Sequence, residues 1–136
     1  MQKYLLVAVL AFCTVSAAAQ QRGTLVGNWR VMHANTKRMR GISLEFSADG
    51  HYAVHGGCND ISGDYQADAA GSLNMSESVH TEMMCRHRLM DADEQMRRIA
   101  ERAAFYQTDG RRLTVSDRKD RIILTAERVS ESRKQQ

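Results

Sequence analysis

Apolar and polar positions alternate with a period of two over most of this chain, in runs only a few residues long. Trp29-Arg30-Val31 starts the pattern, and Ile42-Ser43-Leu44-Glu45-Phe46 repeats it cleanly, with Ile42, Leu44 and Phe46 sharing one face. Ser47-Ala48-Asp49-Gly50 supplies a turn and Tyr52-Ala53-Val54 a partner, so residues 42–55 read as a β-hairpin. A second hairpin is expected from Gly63–Ala67 and Ser72–Met75 around Asp68-Ala69-Ala70-Gly71. A third set follows as Phe105-Tyr106-Gln107, Leu113-Thr114-Val115 and Ile122-Ile123-Leu124-Thr125, separated by turns at Asp109-Gly110 and at Asp117 to Asp120. Together these make about eight strands at hairpin spacing, the rhythm of a small barrel or sandwich. The inward positions Trp29, Val31, Ile42, Leu44, Phe46, Tyr52, Val54, Leu73, Phe105, Leu113, Val115 and Leu124 form the expected core.

One segment breaks the rhythm. Over residues 89–103, Leu89, Met96, Ile99, Ala100 and Ala103 recur at helical spacing between charged positions, with no Gly or Pro. Asp91-x-x-Glu94 resembles a capping box, which would place the helix start beside Asp91. The expected fold class is therefore α+β, mainly β: a small antiparallel barrel-like sheet closed by one amphipathic helix.

The two ends of the chain differ from its body. Lys3, the apolar run Leu5–Phe12 and the small residues up to Ala17-x-Ala19 have the pattern of a secretory signal peptide over residues 1–19. The apolar run is shorter than the roughly 20 residues a permanent transmembrane helix needs, so no transmembrane segment is expected after cleavage. Lipoprotein anchoring at Cys13 ranks well below cleavage after Ala19, because bulky Phe12 stands where lipoprotein processing takes a small residue. Residues 20–24 read as a short leader, 25–128 as the domain and 129–136 as a polar, disordered tail. The expected location is periplasmic or secreted.

Export changes the meaning of the cysteines. Cleavage removes Cys13 and leaves Cys58 and Cys85, and a thiol pair in an oxidising compartment tends to form a disulfide. Two free buried thiols or a metal pair are the alternatives. Composition adds exclusions: of 136 residues, 43% are hydrophobic and 26% charged, the balance of an ordinary globular chain. A net charge of +3 is too thin to indicate nucleic-acid binding.

The segments around the two cysteines carry a resemblance. Gly57-Cys58-Asn59-Asp60-Ile61-Ser62-Gly63-Asp64-Tyr65 fits G-C-N-x-x-x-G-x-Y, and Thr81-Glu82-Met83-Met84-Cys85 fits T-x-M-x-C. With Gly27-Asn28-Trp29 before them and Glu94 after, the set resembles the META domain, the HslJ-like family of exported bacterial proteins, over about residues 25–128. Arg86 stands where members of the family often have Pro. The resemblance implies a small lipocalin-like META barrel, a link to heat-inducible expression and drug tolerance, and no catalytic mechanism. Trp29, Gly57, Asn59, Gly63, Tyr65, Thr81, Met83 and Glu94 are the family-motif residues. Structural work is expected of the motif: close backbone approach at Gly57, turn bonding by Asn59, an inward ring at Tyr65, backbone capping by Thr81 and a core gap filled by Met83.

Chemistry is otherwise sparse. No nucleophile elbow or phosphate loop occurs, so neither an enzyme nor a cofactor is expected. His80, Met83, Met84, Cys85 and His87 lie close together, and sulfur with imidazole suits copper(I). Copper or zinc binding at His80, Met83 and His87 is held as a lesser alternative. His51 and His55 share a strand face opposite Tyr52 and Val54 and are expected in solvent. Two functions follow: a non-catalytic, stress-associated envelope or secreted module acting through an unknown protein or surface partner, and a carrier of a small apolar ligand inside the barrel.

Overall fold

A computed structural model describes residues 25–76 and 79–130. The expected signal peptide, the leader at 20–24 and residues 131–136 of the tail lie outside the described residues. Ten strands and one helix lie wholly within the described residues, in order: β1 Gly27–Ala34, β2 Lys37–Arg38, β3 Ser43–Phe46, β4 His51–His55, β5 Ile61–Ala67, β6 Leu73–Met75, β7 Val79–His80, α1 His87–Arg102, β8 Phe105–Thr108, β9 Arg112–Ser116 and β10 Ile122–Arg128. Eight of the strands pair antiparallel in the order β6-β5-β4-β3-β1-β10-β9-β8. The two ends of that row meet: Leu73 N–H donates to Ala104 O at 2.9 Å and Tyr106 N–H to Gly71 O at 2.8 Å, around a Ser72–Phe105 bridge. The sheet is thus a nearly closed eight-stranded barrel. β2 and β7, the two strands not anticipated from periodicity, pair with β1 and β5 outside the ring.

Alternation decides which face each strand buries. Leu44 pairs with Val54 and Phe46 with Tyr52 across β3 and β4, all inside the ring. The next strand leaves room for them. A Cβ on Gly63 would lie 2.8 Å from the Tyr52 ring, so glycine is what lets that ring pack flat on β5. Trp29 is fully buried on β1, and the β1 register slips between Val31 and His33, a bulge that bends the strand around the core.

The Trp29 indole N–H donates to Leu25 O at 2.9 Å, and the Arg128 guanidinium lies 4.3 Å from its ring centroid. Arg128 also donates to Gly110 O and Val26 O, so a single cation covers this mouth of the barrel. The opposite mouth is covered by α1, which buries Ala92, Met96, Ile99 and Ala100.

Two expectations are corrected here. Phe105 was expected in the core but is 41% exposed. Its strand pairs Phe105 with Ser116 and Tyr106 with Val115, so Tyr106 shares the inward face of Val115 and Phe105 points out. The capping box is the second. The helix begins at His87, with Arg86 as N-cap and no side-chain cap, so Asp91 and Glu94 lie within it. Asp91 instead binds Lys37 at 3.0 Å and Glu94 binds Arg98 at 3.1 Å. Cys85, tied by its disulfide, fixes where the chain turns into the helix. Arg86 takes φ −59°, a value open to proline too, so the entry keeps its shape with arginine in place of the family's Pro.

The far end of α1 is anchored by Asp117, only 5% exposed. Its Oδ1 accepts from the Lys119 and Arg121 amides, and its Oδ2 from Arg121 Nε at 2.9 Å and Arg102 Nη2 at 3.0 Å. Burial pushes this carboxyl up, but the backbone amides and two guanidinium groups outweigh it and hold it at about 2 against an ordinary 3.8. The folded value is the lower one, so the ionised carboxylate stabilises the fold above about pH 4, and that contribution is lost as pH falls towards 2. Asp117→Asn is expected to lower Tm at pH 7 and to flatten the fall of Tm between pH 4 and 2. Melting curves that run parallel for wild type and variant across that window would refute the assignment.

Candidate functional site

The motif residues converge where the loop after β4 meets the segment leading into α1. Cys58 and Cys85 are joined, with Cα atoms 5.6 Å apart across a sequence separation of 27. Asn59 is the centre of the surrounding network. Its Oδ1 accepts from Thr81 Oγ1 at 2.9 Å and from the Met83 amide at 2.6 Å, while its Nδ2 donates to Asp93 Oδ2 at 3.0 Å and to Met83 O at 3.4 Å. The Asn59 amide donates to the same Asp93 oxygen at 2.9 Å. Thr81 Oγ1 also accepts from the Asp60 amide at 3.3 Å. One carboxamide therefore ties two loops to the helix. Gly57 makes this approach feasible: a Cβ there would strike Asp93 Oδ1 and come within 3.6 Å of Leu89 O.

Sequence reasoning missed Asp93. It is 8% exposed, and it lies four residues after Leu89 and three before Met96, inside the apolar stripe of the helix. A carboxylate in such a stripe requires a partner, and that was the available signal. Glu94 points away, half-buried and paired with Arg97 and Arg98. Met83 does not fill a core gap as expected. Its side chain is 59% exposed, and the motif uses its backbone N–H and C=O instead, because Asn59 needs both a donor and an acceptor there.

The other motif residues work away from the staple. Tyr65 packs edge-on against Phe46, ring centroids 4.9 Å apart, and donates its hydroxyl to Ser47 O at 2.6 Å. Burial raises the Tyr65 hydroxyl above its ordinary value. Trp29 and Gly63 shape the barrel interior, as described above.

His80 on β7 and His87 at the start of α1 are exposed, and Cys85 is held in the disulfide. Among the described residues no three His, Cys, Asp or Glu side chains are placed to share an ion. His51 faces outward beside Asp64 and Asp49, and His55 lies 3.5 Å from Asp60. The barrel interior is occupied by Trp29, Phe46, Tyr52, Leu44, Leu113, Leu124 and Val115, all at most 1% exposed. A groove of about 840 Å³ lies outside, at the mouth lined by Leu25, Tyr65, Asp68 and Asn74.

A small antiparallel barrel, plugged at one mouth by a helix and stapled to it by a single disulfide, defines a compact β-barrel module with a structural motif at the helix-bearing rim. Residues 23–130 match the model of the META domain, and the chain belongs to that family. No curated protein matches it in sequence. Among solved structures it is similar to a DUF4847 family protein from Bacteroides vulgatus, with TM-score 0.59 and 15% identity over 80% of this chain and 96% of that one. A protein from Burkholderia xenovorans gives TM-score 0.59 and 18% identity, over 96% of this chain and all of the other. At such identity the likeness establishes the fold. No known enzymatic activity comes with the META family, and the disulfide fits an oxidising compartment.

Two stability tests follow from the network. Replacing both cysteines by serine opens the closed loop and is expected to lower stability by roughly 3–4 kcal/mol. Asp93→Ala takes the carboxylate acceptor from the Asn59 backbone N–H and from one of its two side-chain bonds and is expected to lower stability by about 2–3 kcal/mol, whereas Glu94→Ala changes it by less than about 0.5 kcal/mol. Urea unfolding of the three variants checks both. Equal effects at 93 and 94 would remove Asp93 from the network.

Proposed function

We propose that this chain is an exported, non-catalytic META module that acts by contacting another protein or an envelope surface, with the stapled rim as its working face. The observation that carries the reading is a contrast at that rim. The polar groups of the motif are taken up by one another, while apolar side chains beside them face water: Val79 is 76% exposed, Met83 59% and Met84 85%. A rigid base under unpartnered methionines is the arrangement of a contact surface, since methionine adapts its shape to a partner at little cost. The signal-peptide pattern at 1–19, the family's exported members and the disulfide support export. No helix among the described residues is long and apolar enough to cross a membrane. The carrier reading is the weaker one, because core side chains fill the barrel.

A photo-crosslinking residue at position 84, tested in the native envelope fraction, is expected to give a discrete adduct. Met83→Asp should abolish that adduct and Lys119→Asp, in the turn before β10, should leave it. Failure to obtain an adduct that depends on Met83 would overturn the contact reading. Saturable copper uptake lost on replacing His80 and His87 would replace it with metal binding. N-terminal sequencing of the processed protein should begin at Gln20, and a chain retained with residues 1–19 in the cytoplasm would refute export.

A further inference from the structure

A second feature lies on the flank where β2 approaches the start of α1. After β2 the chain alternates: Met39 turns inward, 9% exposed, its amide donating to Met32 O at 2.8 Å, while Arg38 and Arg40 on either side of it stay in solvent. Arg88, in the first turn of α1, faces the same space. Between them is an open groove of about 390 Å³. Its floor is apolar, made by buried Met39, Ile42 and Ala92. Its rim carries Lys37, Arg38, Arg40 and Arg88 against one carboxylate, Asp91.

That carboxylate is already committed. Lys37 Nζ binds both Asp91 oxygens, at 3.0 and 3.2 Å, and Gln95 adds a third bond at 3.3 Å. The Lys37 ammonium first, then the Gln95 amide, holds Asp91 below the usual carboxylate range, so the pair is neutral as a unit. Arg38, Arg40 and Arg88 make no ion pair among the described residues. Three guanidinium groups thus share one concave site without a counter-charge. Elsewhere on the surface Arg30, Arg97, Arg98, Arg102 and Arg121 each face a carboxylate within 4.0 Å.

We infer that this groove binds a small amphiphilic anion, an oxyanion head on a short apolar body, with Arg38, Arg40 and Arg88 on the head and Met39, Ile42 and Ala92 under the body. Guanidinium forks match carboxylate and phosphate oxygens two at a time, which a lysine-rich patch would not do. The apolar floor separates this site from an ordinary solvated basic face, because a bare inorganic anion gains nothing from it. The volume falls at the small end of the range for ligand pockets, enough for one short chain. The Lys37–Asp91 bridge holds β2 against the helix and so keeps the groove open without a ligand. The groove's chemistry is independent of where the protein resides and of what the stapled rim contacts.

The test uses the folded, oxidised protein and dissolved octyl phosphate below its micelle concentration, followed by amide NMR shifts. Saturable shifts at Met39, Leu89 and Ala92 are expected, weakening as salt is raised. Arg40→Gln with Arg88→Gln should weaken binding at least tenfold with an unchanged Tm. Arg118→Gln with Lys119→Gln, an equal loss of charge in the turn before β10, should leave it unchanged. Octyl glucoside should give no saturable shift at these residues, and inorganic phosphate should bind at least tenfold more weakly than octyl phosphate. Equal binding of inorganic phosphate would overturn the role of the floor, and binding of octyl glucoside that of the arginines. Binding to anionic phospholipid vesicles without binding to dissolved octyl phosphate would overturn the small-ligand assignment.

Discussion

The structure depends on the side-chain amide of Asn59. A closed sheet with a helix over one mouth has a recurrent problem: the loops entering and leaving the helix must be held against the rim without a strand ladder to hold them. Here one carboxamide solves it by being donor and acceptor at once. It takes the hydroxyl of Thr81 and the amide of Met83 on its oxygen, and gives its hydrogens to Asp93 and to Met83 O. Neither Asp nor Leu has that valence at similar size. The disulfide beside it closes the same junction covalently, which limits how far the loops separate when hydrogen bonds break. Gly57 follows from this, since the helix carboxylate occupies the space a side chain would need.

The opposite mouth is closed by different means. Trp29 brings its indole to the end of the core, Leu25 O satisfies the ring N–H, and Arg128 lies over the ring face while binding Gly110 O and Val26 O. A cation is tolerated there because its donors reach carbonyls and its plane reaches an aromatic surface. Between these two caps the interior is occupied by core side chains.

Much of this was legible in the sequence because alternation is local. Leu44, Phe46, Tyr52 and Val54 face inward as their pattern requires, and the β3–β4 hairpin and the helix lie where periodicity put them. The errors share a cause. Phe105 and Tyr106 are adjacent aromatic residues, and the pairing with β9 decides which one faces the core. The capping pattern at Asp91 was sound locally, but the staple at Cys85 set the helix start earlier. Strands β2 and β7 are two residues each, too short to carry a period. Asp93 was visible as a polar residue in an apolar stripe, yet its partner lay 34 residues away, beyond any local rule. The grouping of Arg38, Arg40 and Arg88 is likewise tertiary, since 48 positions separate Arg40 from Arg88.

The junction of β6 with β8 has a consequence for how this protein meets others. Because the row of eight strands returns on itself, the ladder offers no long vacant border to a foreign chain among the described residues, and the two described strands outside it are stubs, one of them the charged pair Lys37–Arg38. Among the described residues, main-chain zippering, the route by which open sheets recruit peptides and also clump, finds little backbone to pair with.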